Sequence, residues 1–123
     1  GTLKDMFDDM AINLKKLESE IKPDYIFTHN PYGEYGHLDH KLLFNMTTQV
    51  CDTPILITDI KIESNWPLYQ NNSKAIERLY YKNKIGNFRL NEELFLYCKE
   101  LYKQAGVWTW KRGISKECNV YEI

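Results

Sequence analysis

Apolar residues near the N-terminus recur at intervals of three and four, and this spacing predicts an amphipathic helix with one apolar stripe. The stripe consists of Leu3, Met6, Phe7, Met10, Leu14, Leu17 and Ile21. Thr2 followed by Asp5 resembles a capping box at the start of this helix, and Pro23 prevents its continuation. The next segment, YIFT at 25–28, is aromatic and β-branched, which indicates a buried strand.

A second helix is predicted from about Asp39 to Val50, after a loop at 29–36 that contains Pro and Gly. The positions expected to face inward on this helix are Leu42, Leu43, Met46 and Val50. The apolar run Ile55–Ile60 follows as a second buried strand. Strand, helix and strand make a βαβ unit, and such crossovers produce parallel sheets with right-handed connections. The pattern therefore predicts an α/β fold.

The C-terminal half is less regular. Residues 75–81 suit either a short helix or a strand. A further helix begins near Asn91, a residue type favoured at N-caps, and Gly106 stands where a helix stop belongs. Its apolar face consists of Leu94, Phe95, Cys98, Leu101, Tyr102 and Ala105. The segment VWTW at 107–110 is either an edge strand or an aromatic-rich loop. With no repeat, linker or low-complexity tract, residues 1–123 are predicted to form a single domain.

Charge and composition exclude several classes of function. The net charge of −1 is spread along the chain, so the basic surface that nucleic-acid binding needs is missing. No apolar run is long enough to span a membrane, and the first residues lack the pattern of a signal peptide. Cys51, Cys98 and Cys118 are odd in number and widely spaced, which argues against a disulfide framework and favours a cytoplasmic location.

The candidate chemistry lies in the loop after the first strand. His29, His37 and His40 are the only histidines of the chain, and all fall within twelve residues. In open α/β sheets such loops, at the carboxyl ends of strands, line the ligand crevice. If the helix starts at or just before them, His37 and His40 project from the same side of its first turn, where neutral imidazoles can bind zinc. Asp39 between them could orient one ring or cap the helix.

Simpler roles compete with a metal site. Two histidines three residues apart at a helix start are often solvated or capping residues. His29 suits a positioning hydrogen bond better than metal ligation. Asp59, at the end of the second strand, either faces the crevice or is a strand-terminal polar residue. Trp108 and Trp110 either stack on a sugar or pack in the core.

Residues 23–44, PDYIFTHNPYGEYGHLDHKLLF, resemble the second signature of the zinc-dependent de-N-acetylases of the LmbE and phosphatidylinositol-glycan type. That signature runs from a buried strand through a Thr-His-Asx-Pro loop into Gly-Glu-Tyr-Gly-His-x-x-His. The tail NEELFLYCKELYKQAGVWTW is similar to the last helix and Trp-rich segment of bacterial members linked to polysaccharide synthesis. The resemblance implies a Rossmann-like parallel sheet with flanking helices and an enzyme that hydrolyses the acetamide of N-acetylglucosaminyl compounds.

The resemblance also implies residue roles. His40 would be a zinc ligand, and His37 would stabilise the tetrahedral intermediate or protonate the departing amine. Asp39 would act on a neighbouring histidine, although Leu38 replaces a proline that many members carry. The residues expected to contact the substrate, an N-acetylglucosaminyl small molecule or glycoconjugate, are His29, Asn30, Tyr35 and Trp108.

One departure from the family limits the function expected of the chain. The first signature, Ala-His-Pro-Asp-Asp-Glu, would supply the other ligands and the general base, and it is absent from the sequence. We therefore expect the C-terminal part of a deacetylase, truncated at the N-terminus and inactive alone, with zinc bound in the intact enzyme rather than by this chain alone. Its exposed strand edges favour association, either as a homo-oligomer or with a separate N-terminal half. The alternatives are a non-catalytic sugar-binding or scaffold module and one subunit of a two-chain enzyme.

Overall fold

A computed structural model of the chain describes residues 1–59, 67–109 and 116–123. Five helical segments accompany the sheet in this part of the chain: α1 Leu3–Ile21, α2 Gly33–Gly36, α3 Leu38–Val50, α4 Pro67–Tyr80 and α5 Glu92–Gln104. The strands are β1 Ile26–Phe27, β2 Ile55–Thr58, β3 Lys84–Arg89 and β4 Glu117–Glu122. A short 3₁₀ turn, Tyr81–Asn83, joins α4 to β3. The fold is therefore mixed α/β, as predicted.

The four strands form one mixed sheet in the order β1-β2-β4-β3. β1 and β2 are parallel, with Ile26 opposite Ile55, as the βαβ pattern predicts. β4 runs antiparallel to both β2 and β3, so the prediction of a parallel sheet is wrong for this half. The reason lies at the end of β2, where the Asp59 carboxylate accepts hydrogen bonds from the backbone and side chain of Asn119 at 2.6 and 3.0 Å. These bonds favour the antiparallel pairing of β4 with β2.

The core lies on β2 and β4. Ile55, Ile57, Ile76 and Tyr121 form the buried cluster, and Tyr32 from the loop after β1 packs against it. Burying these side chains removes apolar surface from water, which is the main favourable term in folding. The contact of Tyr32 with this cluster attaches the candidate loop to the core.

β1 is not the buried strand that its composition indicates. It is an edge strand of the sheet, and Phe27 is 61% exposed. Aromatic and β-branched residues favour strands in general, but the pattern alone does not distinguish a central strand from an edge strand. The same limit applies to the helix that follows, since only Met46 of its four predicted inward positions is buried.

α1 confirms its predicted boundaries and capping box. The Thr2 hydroxyl accepts from the Asp5 N–H at 3.2 Å, and the Asp5 carboxylate accepts from the Thr2 N–H at 3.0 Å. Farther along the helix, Glu18 accepts from the backbone N–H groups of Asp52 and Thr53, both at 2.9 Å. These two bonds fasten α1 to the turn between α3 and β2. None of the α1 side chains is buried.

The N-cap predicted for α5 at Asn91 is also confirmed. The Asn91 side chain accepts from the Leu94 N–H at 3.0 Å, and Gly106 has a φ of +73° just after the helix. The predicted apolar face is not buried in the described part of the chain, because α5 has no buried residue. Residues 107–109 are not part of any described strand. Ile60, at the end of the second predicted strand, and Trp110, in the segment VWTW, lie outside the described residues. No helix among the described residues is long and apolar enough to cross a membrane.

Candidate metal centre

Asn30 shapes the loop that carries the candidate site. Its side-chain oxygen accepts from the backbone N–H groups of Tyr32 and Glu34 at 3.0 and 3.1 Å. Its side-chain nitrogen donates to the Thr58 carbonyl of β2 at 3.1 Å. Asn30 is 2% exposed, so these bonds form in an environment where an unpaired polar group is costly. Asn30 thereby fixes the loop to the end of β2, and its contact with a substrate stays a prediction.

Glu34 is the central group of the site. It lies in the short turn α2 with φ +59° and ψ −74°, a conformation that L-residues rarely adopt, and it is 6% exposed. Its carboxylate contacts Nδ1 of His29 at 3.2 Å and Nδ1 of His40 at 2.5 Å. It also accepts from the backbone N–H of Asn30 at 3.2 Å. A buried carboxylate is thus surrounded by hydrogen-bond partners.

Three imidazole rings stack beside this carboxylate. The centroids of His29 and His40 are 3.8 Å apart and their planes differ by 4°. On the other side, the His37 ring lies 4.4 Å from His40 with an angle of 19°. Tyr35 meets the His40 ring edge-on at 5.7 Å. The structure therefore brings together all three histidines and Tyr35, four of the residues that the sequence singled out.

His37 has a different environment from the other two rings. It is the N-cap residue of α3, and its Nδ1 accepts from the backbone N–H of Asp39 at 3.2 Å. The helix cap that the sequence suggested for Asp39 is therefore supplied by His37, because the His37 side chain accepts a hydrogen bond from the backbone of the first turn. Asp39 itself is exposed in that turn, and a catalytic role for it stays a prediction.

His29, Glu34 and His40 form a group that could hold a metal ion. One nitrogen of each histidine and one oxygen of the glutamate lie within 4.8 Å of one another. Two imidazoles and a carboxylate are also the donor set of some catalytic zinc sites, which keep a further position open for water. The residues present therefore fit zinc. The sequence indicated His40 as the ligand, whereas Glu34 was not recognised as a site residue, and its position within GEYGH was the only available signal.

A concave pocket of about 580 Å³ adjoins the group. Its polar wall includes the three metal-site candidates, and its apolar wall includes Leu14 of α1 and Phe27 of β1. The complete lining is Leu14, Ile26, Phe27, Thr28, His29, Glu34, Tyr35, His40, Leu43, Thr47 and Thr58. Sites for small molecules commonly combine such apolar walls with a few convergent polar groups.

Two residues considered from the sequence lie apart from this pocket lining. Trp108 packs edge-on against Phe95 at 6.0 Å, with the Lys99 ammonium 5.2 Å from its ring, so its described contacts belong to α5. Asp59 is fully buried and accepts from the Tyr121 hydroxyl at 3.3 Å in addition to its bonds with β4. Burial, together with the nearby Asp59, raises the pKa of Tyr121 to about 12. Asp59 is therefore a strand-terminal polar residue with a structural role.

Comparisons with protein-family profiles, with curated proteins and with solved structures found no match to this chain.

Proposed function

We propose that this chain is part of a zinc-dependent N-deacetylase that hydrolyses the acetamide of a GlcNAc-type substrate. The observation that carries the proposal is the buried Glu34 carboxylate between the stacked His29 and His40 rings. This group lies in the stretch of sequence that resembles the second signature of the LmbE-like deacetylases. The proposal includes the Rossmann-like arrangement of the complete enzyme and its location in the cytoplasm.

In this proposal His40 holds the zinc ion, and His29 and Glu34 are the neighbouring candidates to complete or support its coordination. When bound, zinc would lower the pKa of a water molecule to about 7 and polarise the acetamide carbonyl. His37 is 4.4 Å from His40 between ring centroids and serves as the proton donor to the departing amine. The apolar wall formed by Leu14, Phe27 and other residues excludes water from one side of the substrate.

The described pocket lacks some of the groups that the reaction needs. Glu34 is the only carboxylate among the described residues that line it, and its two oxygens are engaged by His29, His40 and the Asn30 N–H. A general base and further ligands therefore have to come from another segment or another chain. Phe27 on the open edge of β1 and the exposed stripe of α1 support association of this kind, with an N-terminal half or a second copy.

The test combines zinc binding with acetate release. Chelator competition, carried out with a separately expressed segment that supplies the missing ligands, should reveal stoichiometric zinc binding that is lost in His40→Ala and retained in Asn45→Ala, an exposed control on α3. Acetate release from N-acetylglucosaminyl compounds is then measured with zinc, first for the chain alone and then with a separately expressed segment that carries the missing ligands. We expect acetate only in the second case. Equal zinc binding by the parent protein and His40→Ala would contradict the proposal.

A second candidate function is a non-catalytic sugar-binding or scaffold module, or one subunit of a two-chain enzyme. The observation that favours these alternatives is the absence of His-Pro-Asp-Asp from the sequence. A module of this kind should bind an N-acetylglucosaminyl ligand saturably in the presence of a chelator and release no acetate. Titration calorimetry with and without chelator separates it from the metal-dependent enzyme.

A further inference from the structure

We infer that Glu34 is a positioning residue that holds His29 and His40 in the Nδ1–H tautomer, while His37 is held in the opposite, Nε2–H tautomer. The inference rests on the proposed function, because that function assigns metal binding and proton donation to different histidines. It concerns protons on three adjacent rings of one stack.

The tautomers of His29 and His40 follow from their shared partner. A carboxylate has acceptor sites only, so a neutral imidazole nitrogen that bonds to it must carry the proton. Nδ1 of His29 lies 3.2 Å and Nδ1 of His40 2.5 Å from Glu34 oxygens. Each proton therefore belongs on Nδ1, and the lone pair is on Nε2. The structure records no hydrogen bond to either Nε2 atom from a residue within its described ranges.

The tautomer of His37 follows from the opposite kind of partner. The backbone N–H of Asp39 is a donor without an alternative, and it points to Nδ1 of His37 at 3.2 Å. This nitrogen must accept, so the proton of neutral His37 belongs on Nε2. Two rings that stack at 4.4 Å thus present opposite groups: His40 presents a lone pair suited to a metal ion, and His37 presents an N–H that can donate a hydrogen bond.

The surroundings of Glu34 indicate that its position is built into the fold. Its N–H donates to the Asn30 side chain at 3.1 Å, and its carbonyl accepts from the Asn72 side chain of α4 at 2.6 Å. These bonds hold the backbone at a φ of +59°, which a non-glycine residue rarely adopts. The carboxylate is thereby held against both imidazoles.

Two-bond ¹⁵N–¹H correlation spectra of the zinc-free protein test the inference. The spectra are recorded at increasing pH until the histidine nitrogen shifts no longer change, so that neutral rings are observed and their tautomers can be read. The chain has only three histidines, so the expected pattern is two rings with Nδ1–H and one with Nε2–H. Free histidine favours Nε2–H, and a spectrum with all three rings in that form would overturn the inference.

The variant Glu34→Gln tests the role of the carboxylate. Its side-chain amide can place an N–H group opposite an imidazole, so His40 should change to the Nε2–H tautomer, and zinc affinity should fall by about 10–100-fold. Glu93→Gln, at an exposed position of α5, should change neither property. Unchanged tautomers in a folded Glu34→Leu protein, whose side chain has no hydrogen-bond acceptor, would overturn the inference. If that variant does not fold, the spectrum of the parent protein still decides.

The outcomes also separate this inference from the proposed function. The two-to-one pattern in a protein that binds no zinc even with the missing segment added would uphold the tautomers and contradict the zinc enzyme. Zinc binding through His40 in a protein whose three rings are all Nε2–H would overturn the role of Glu34 and leave the enzyme proposal standing.

Discussion

The Asn30→Ala substitution is predicted to lower the free energy of unfolding by about 3 kcal/mol. The side chain of Asn30 makes hydrogen bonds to three backbone groups, the N–H of Tyr32, the N–H of Glu34 and the carbonyl of Thr58. Alanine can replace none of them. The lost bonds connect the loop after β1 to the end of β2, so the substitution should also loosen the carboxylate at the centre of the site.

The magnitude follows from the burial of these groups. A buried donor or acceptor left without a partner costs about 1–3 kcal/mol. Asn30 is 2% exposed, but the pocket lies beside Glu34 and Thr58, so water can reach part of the space that the side chain leaves. The lower value of about 1 kcal/mol for each of the three groups then gives about 3 kcal/mol. Domains have total stabilities of about 5–15 kcal/mol, so the variant should fold.

Urea unfolding measures this loss, with Asn45→Ala as the matched control. Asn45 is an exposed residue of α3, and its substitution should change stability by less than about 0.5 kcal/mol. A loss below about 1 kcal/mol for Asn30→Ala would refute the reasoning, because it would mean that the three bonds are replaced by water at almost no cost.

Three further predictions concern pH and backbone conformation. Burial is the main cause of the Tyr121 pKa of about 12, so the folded protein keeps a proton that the unfolded chain releases near pH 10. Stability should therefore fall as pH rises from about 10 to 12, and Tyr121→Phe should make this fall smaller in urea titrations. A hydrogen bond from the Thr53 backbone is the main cause of the Glu18 pKa of about 2. The stabilisation that ionised Glu18 provides is therefore present above about pH 4.5 and is lost as pH falls towards 2. The urea midpoint of the Glu18→Gln variant should fall less steeply with acid than that of the parent protein. Gly33→Ala should lower the free energy of unfolding by more than the roughly 1–2 kcal/mol expected for a positive φ alone, because the new Cβ would lie 3.0 Å from a lysine side chain of α3. Gly106→Ala has open space around its Cβ and should show the loss from the positive φ only. Equal losses of stability in urea unfolding of the two variants would contradict this prediction.

The elements with a clear period could be predicted from the sequence. α1 and α5 have regular apolar spacing and their own capping side chains, at Thr2 and Asn91, so local signals fix their boundaries. β4 gave no such signal, since its buried residues include Asn119, whose polarity is satisfied by Asp59 of another strand. A local sequence pattern does not indicate hydrogen-bond partners that lie this far apart along the chain. The antiparallel half of the sheet was not predicted for that reason.

The site was predictable to a similar degree. The spacing of His37 and His40 at a helix start is a local feature, and the structure places both rings in one stack. The role of Glu34 depends on a rare backbone conformation and on a hydrogen bond from Asn72 of α4, which no spacing rule contains. The parallel stacking of His29 on His40 likewise depends on how the loop folds back, so the sequence indicated a hydrogen-bonding residue rather than a third member of the group.

X-ray absorption at the zinc edge, on protein loaded with one equivalent of zinc, tests the central claim most directly. The account predicts imidazole nitrogens at about 2.0–2.1 Å from the metal, with an imidazole contribution that decreases in His40→Ala. Scattering from sulfur at about 2.3 Å, or a spectrum unchanged by the His40→Ala substitution, would place the metal elsewhere on the chain and contradict the account.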